Sequence, residues 1–218
     1  MDGPVVMVVG AGPGVSGSVA RRFAREGYDV ALVGIDEDAL AVLSDELRAL
    51  DVASDWAVVD LTDTDAAAAE LGKLGERFGR IDVLHFNPSA FREKDPLSLT
   101  VPELLEDVAL GVGALLTSVQ AARPFMSSGG RVTVTGSMAA DKPWNKAASL
   151  GVQKAGVRNL VRSLDTTLEP DGIRAVSVTV RGTLSREGAF TPDRVAEALW
   201  SAAHQDESAW QTEVPYEG

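Results

Sequence analysis

The chain has 218 residues, a formal net charge of −12 and no cysteine, which excludes disulfides and thiolate chemistry and argues against a phosphate-backbone partner. A hydrophobic share of 45% is enough for one sizeable core, and no apolar run approaches membrane-spanning length. The opening Met1-Asp2-Gly3-Pro4 has no basic leader region, so a cytoplasmic protein with no membrane and no nucleic-acid partner is expected.

Short β-branched runs alternate with segments of helical period, the signature of a parallel sheet wound on both faces. Strands are predicted at 5–9, 29–33, 56–59, 81–86, 131–135 and 174–180, with a weaker seventh near 210–214. A helix follows the first strand over 19–26. Leu40, Leu43, Leu47 and Leu50 then repeat at helical steps behind Asp36, placed to cap that helix. Thr100-Val-Pro-Glu103 reads as a capping box opening a helix that runs to Arg123, with apolar residues on two sides. Leu150, Val157, Val161, Leu164 and Leu168 mark the next helix. Thr191-Pro192 caps the last, which buries Val195, Ala198, Leu199 and Ala202. No internal repeat or linker interrupts the pattern. The expectation is one domain over 1–218: a doubly wound α/β Rossmann sheet of about seven strands with helices on both faces.

The strongest local signal is Gly10-Ala-Gly-Pro-Gly-Val-Ser-Gly17, set between an apolar strand and a helix. Glycines there let the backbone approach a pyrophosphate, and the helix N-terminus supplies N–H donors and the positive end of a dipole. In that strand–turn–helix setting, Gly10, Gly12, Pro13, Gly14 and Val15 become candidates for holding a dinucleotide. Ile35 and Asp36 end the second strand, where a ribose is met; Asp36 serves either a ribose hydroxyl or the helix cap. With no basic residue there to take a 2′-phosphate, NAD is slightly favoured over NADP. The two histidines are far apart and lack carboxylate spacing, so no metal site is expected.

Beyond the glycine turn, several landmarks follow in order: Asp60-Leu61, Gly79-Arg-Ile-Asp-Val-Leu-His-Phe-Asn87-Pro88, Gly130-Arg-Val-Thr-Val-Thr-Gly-Ser137, Lys154-Ala-Gly-Val-Arg and Arg181-Gly182. With them the chain resembles the short-chain dehydrogenase/reductase family from residue 5 to about 183. The resemblance implies hydride transfer between NAD or NADP and a carbonyl or alcohol. Ser137 and Lys154 fall on the family's catalytic positions, and Asp60, Leu61, Asn87, Pro88, Lys154 and Gly182 on its cofactor positions. It also implies a homodimer or homotetramer through the helices that begin near Thr100 and Ser149.

Three departures stand out. The family's proton donor is a tyrosine thirteen residues after the serine and four before the lysine, and that position is Leu150. A structural asparagine expected between Thr100 and Arg123 is missing, and the first asparagine of the turn after the fourth strand is Phe86. Substitute donors are Lys154, a water held by Ser137 and Asn87, His85, or Tyr216 from a C-terminus folded over the pocket. The connection 183–190 is too short for a full substrate lid, so the pocket is either open or closed by Trp144 and a partner subunit. Two other readings accompany the oxidoreductase: a non-redox dinucleotide-binding pseudo-enzyme, and a different biosynthetic reaction on the same scaffold.

Overall fold

In the computed structural model, which describes residues 3–218, seven parallel strands lie in the order β3-β2-β1-β4-β5-β6-β7. Met1 and Asp2, the start of the stretch read above for a leader, lie outside the described residues. The strands are β1 (Val5–Val9), β2 (Asp29–Gly34), β3 (Ser54–Val58), β4 (Val83–Phe86), β5 (Arg131–Ser137), β6 (Arg174–Val180) and β7 (Glu213–Tyr216). The helices are α1 (Val15–Ala24), α2 (Glu37–Arg48), α3 (Thr64–Phe78), α4 (Val101–Val108), α5 (Ala114–Ala122), α6 (Ala148–Leu168) and α7 (Pro192–Ala203).

All five residues of β1 are fully buried, because both faces of the sheet are covered. Side chains alternate across a strand, so Val5, Met7 and Val9 join the core under α3, α5 and α6. Val6 and Val8 join the opposite core under α1, α2 and α7. Strand order reverses between β1 and β4, which pair as Val8 to His85 and Val9 to Phe86. That reversal opens a crevice beyond the carboxyl ends of the strands, where ligands bind in doubly wound sheets.

Several boundaries differ from the sequence expectation. The first helix starts at Val15 rather than residue 19, directly out of the glycine turn. β3 begins two residues early, and β4 begins late because the Ile81 N–H is bonded to Phe125 C=O, outside the sheet. β5 runs on to Ser137, opposite Val180. The seventh strand is 213–216 rather than 210–214, because Trp210 stands between the Arg131 and Arg174 guanidiniums, 5.2 and 5.0 Å from its ring. Leu50 falls beyond the end of α2 and is 40% exposed.

The helix from Thr100 has the expected capping box, but a π turn over Ala109–Gly113 divides it into α4 and α5. Counted as one, Val101–Phe125 spans 25 residues with a mean hydropathy of 1.3 in its most apolar window, which corrects the expectation that no run reaches spanning length. In the fold this segment is a layer of the sandwich. Ala114, Leu115, Val119 and Ala122 pack in the core, and Glu103, Glu106 and Asp107 hold ion pairs with Arg92.

Candidate active site

The glycine turn lies at the crevice between β1 and β4. Gly10 adopts φ +78°, and a Cβ there would stand 2.8 Å from Pro88 Cγ, so only glycine fits. At Gly17 a Cβ would meet the Gly12 carbonyl at 2.6 Å. Gly12 and Gly14 face open space, with nothing within 4 Å of an added Cβ. Two glycines are therefore needed to close the turn, and two leave room for a ligand against the backbone. Gly14 is the N-cap of α1 and gives no side-chain cap, so the helix's first N–H groups are left for that ligand.

On one side of the turn lies a cavity of about 460 Å³ formed by Gly10, Ile35, Asp60, Leu61, Pro88 and Ser89, among others. Ile35 is 72% exposed and presents a bare apolar side chain. The Asp36 carboxylate accepts from the Ala39 N–H at 3.0 Å and so caps α2. The Asp60 carboxylate accepts from the hydroxyl and the N–H of Thr62 at 2.7 and 2.9 Å, bonds that hold its pKa below the ordinary carboxylate value. At the far wall Arg92 is committed to acidic partners, the buried Asp107 at 2.9 Å and Glu106 at 2.7 Å.

On the other side a cavity of about 390 Å³ is lined by Gly14, Val15, Asn87, Ser137, Leu150 and Lys154, with Gly182 and Leu184 at its edge. β5 delivers Ser137 as its last residue, and α6 delivers Leu150 and Lys154 one turn apart on one face. Ser137 Oγ accepts from the Ala139 N–H at 3.2 Å. Lys154 Nζ donates to the Thr135 carbonyl at 2.9 Å, and burial lowers its pKa from 10.5 to about 8. The ammonium thus keeps two further N–H donors and a proton it can release near neutral pH.

Leu150 is half-buried in this wall, in contrast to the fully packed Val157 and Val161 of the same helix. His85 is wholly buried in β4 with Nδ1 3.0 Å from Thr133 Oγ1, and burial, then the charge of Lys154, lowers its pKa to about 3. It is therefore a neutral imidazole across the working pH range. Tyr216 is a residue of β7; its hydroxyl donates to the Ala189 carbonyl at 2.6 Å and its ring packs on Phe190, so it does not fold over the cavity. Trp144 stacks on Phe91 and lines a separate apolar groove with Leu99, Leu104 and Val152.

The two cavities meet at Ser89, which lines both. Of the residues marked in the sequence, the first cavity gathers Gly10, Ile35, Asp60, Leu61 and Pro88. The second gathers Gly14, Val15, Asn87, Ser137, Lys154 and Gly182. Gly12 and Pro13 form the crest of the turn and Asp36 points into its own helix. Sequence reasoning missed Ser89, Thr135 and the Arg92–Asp107 pair. Ser89 had a signal, lying two residues beyond Asn87, whereas Arg92 and Asp107 meet only through tertiary packing.

A doubly wound sheet with an open glycine turn joining two cavities defines a dinucleotide-binding protein. A family model described as short chain dehydrogenase matches residues 4–189. The chain belongs to that family, the short-chain dehydrogenases/reductases, which are nicotinamide-dependent oxidoreductases. It is 31% identical over 181 residues to cis-4-hydroxycyclohexanecarboxylate dehydrogenase of Sinomonas cyclohexanicum, covering 80% of this chain and 71% of that one. To the A-factor type γ-butyrolactone 1′-reductase of Streptomyces virginiae it is 29% identical, over 84% and 72% of the two chains. A short chain dehydrogenase from Mycobacterium smegmatis superposes with a TM-score of 0.87 at 25% identity, over 99% and 92% of the chains. One from Burkholderia cenocepacia, solved in complex with NADP, gives 0.91 at 23% identity, over 99% and 96%.

Proposed function

We propose that this protein transfers hydride between a nicotinamide cofactor and a compact carbonyl or alcohol, with Ser137 and Lys154 as its reacting groups. The observation that carries the reading is the convergence of Ser137, Lys154, Asn87 and Gly14 on one cavity continuous with the glycine turn. The N–H groups of Gly12, Gly14 and Val15 hold the pyrophosphate, and Ile35, Asp60 and Leu61 hold the adenosine end. NAD is favoured over NADP, because the one basic residue of the adenosine cavity, Arg92, is tied to Asp107 and Glu106. When bound, the nicotinamide gives or takes the hydride.

The Ser137 hydroxyl bonds the substrate oxygen and fixes the carbonyl against the cofactor end of the cavity. Leu150 has no proton to give. Lys154 takes over that task, donating from its ammonium to the oxygen as negative charge develops there. Val15, Val180, Leu150 and Leu184 make the remaining wall apolar, which suits a small ring or chain with few polar groups. The names of the two curated relatives, acting on a hydroxycyclohexane acid and a butyrolactone, agree with that class. The apolar surface of α4 and α6, with Val101 68%, Leu105 61% and Val152 50% exposed, is assigned to contact between subunits of a homodimer or homotetramer.

Leu150 favours a second reading, in which the dinucleotide is bound without turnover of ordinary carbonyls. Calorimetric titration with NAD and NADP, followed by reduction assays on small cyclic and linear ketones, separates the two. Binding with turnover supports the oxidoreductase, binding alone supports the second reading, and no binding removes both.

A further inference from the structure

We infer that Gln153 is a positioning residue that locks the two halves of the dinucleotide groove together, an inference that rests on the cofactor reading above. Gln153 precedes Lys154 on α6, yet it points away from the reaction cavity and is fully buried. Its amide makes a two-way bond with one peptide unit: Oε1 accepts from the Ala90 N–H at 2.9 Å and Nε2 donates to the Ala90 carbonyl at 3.1 Å. Nε2 also donates to the Ser149 carbonyl at 3.3 Å, within its own helix. The side chain thus satisfies both polar groups of a loop residue as a neighbouring strand would.

The place of that loop gives the bond its consequence. Ala90 and Ser89 wall the adenosine cavity, Ser89 and Asn87 wall the reaction cavity, and Lys154 is the next residue along α6. The third partner is the π turn. Gly111 lies against Gln153 so closely that a Cβ there would stand 2.3 Å from Oε1. The extra residue of that turn and the bare glycine at its centre make the space in which the glutamine amide lies. One amide therefore bonds the loop after β4 to the helix that carries Lys154 and packs against the turn between α4 and α5.

The test uses Gln153→Met, which keeps the bulk and removes all three hydrogen bonds, and a pairing of Gly111→Ala with Gln153→Ala. Amide exchange at Ala90, thermal melting and NAD titration are read on each variant. Gln153→Met is expected to leave a folded protein with a fast-exchanging Ala90 amide and NAD affinity reduced about ten-fold, the effect of leaving a half-buried peptide without its partner. Gly111→Ala alone should produce the same defect by pushing the amide aside. In the Gln153→Ala background, where the side chain is gone, Gly111→Ala should add no further loss. That coupling places the Gly111→Ala defect on the Gln153 amide, and a loss of NAD affinity beyond the loss in thermal melting separates positioning from a general loss of stability. If the unmodified protein binds NAD but Gln153→Met binds it within two-fold of the same affinity, or if the paired effects simply add, the inference is wrong and the cofactor reading stands. If the unmodified protein binds neither NAD nor NADP, both fall together.

Discussion

Leu150→Tyr is the most direct perturbation of the reaction cavity. α6 carries residue 150 one turn before Lys154, a rise of about 6 Å along the same face, and both line the cavity with Ser137. Leu150 is only half-buried, and the cavity of about 390 Å³ in front of it leaves room for a phenol. A tyrosine hydroxyl there would lie near an ammonium held by the Thr135 carbonyl at 2.9 Å, which favours the ionised phenol and lowers its pKa. A positioned acid contributes about 10²–10⁴-fold, or about 3–5 kcal/mol of barrier. Ketone reduction by Leu150→Tyr, followed through loss of NADH absorbance at saturating cofactor, should therefore rise, by less than that factor because Lys154 already supplies a proton in the unmodified protein. Ser137→Ala in the same background should remove the gain, since the carbonyl then loses its anchor. The reasoning is refuted if Leu150→Tyr binds NAD as tightly as the unmodified protein and reduces ketones no faster.

Three other outcomes follow from the geometry. Burial holds the Lys154 pKa at about 8, below its unfolded value, so the folded state pays for an ammonium below pH 8 and regains that stability as the pH rises from about 8 toward 10.5. Denaturant titrations should show stability rising by about 3 kcal/mol over that interval relative to Lys154→Met, and equal slopes in the two proteins would contradict the buried charge. In Gly10→Ala, a left-handed backbone costs about 1–2 kcal/mol and the methyl meets Pro88, so melting should fall and NAD binding should be lost in calorimetry. Leu105→Glu places a charge on the exposed apolar side of α4, and light scattering should show the proposed homo-oligomer shifted to monomer while the melting temperature in dilute solution changes little.

How much of this was legible in the chain depends on the range of the interactions involved. Strand β1, the caps at Asp36, Thr100 and Thr191, and the glycine turn are set by neighbours within a few residues, and the sequence alone determined them. Ser137, Leu150 and Lys154 could be placed together because β5 and α6 deliver them at regular spacing to one end of the sheet. The misplaced boundaries have non-local causes: β4 starts late because Ile81 bonds Phe125, and β7 is displaced because Trp210 stands between two arginines that belong to other strands. The helix from Thr100 has continuous apolar periodicity, whereas its π turn is fitted by distant contacts, Gly111 on Gln153 and Val112 on Gly156. The Arg92–Asp107 pair and the bond from Gln153 to Ala90 likewise join residues 15 and 63 apart in the chain. Short-range hydrogen bonds and periodic burial act through neighbouring residues and leave a pattern in the sequence. Contacts between distant elements depend on how whole layers dock, so tertiary structure alone decided which residues support the cofactor groove from behind.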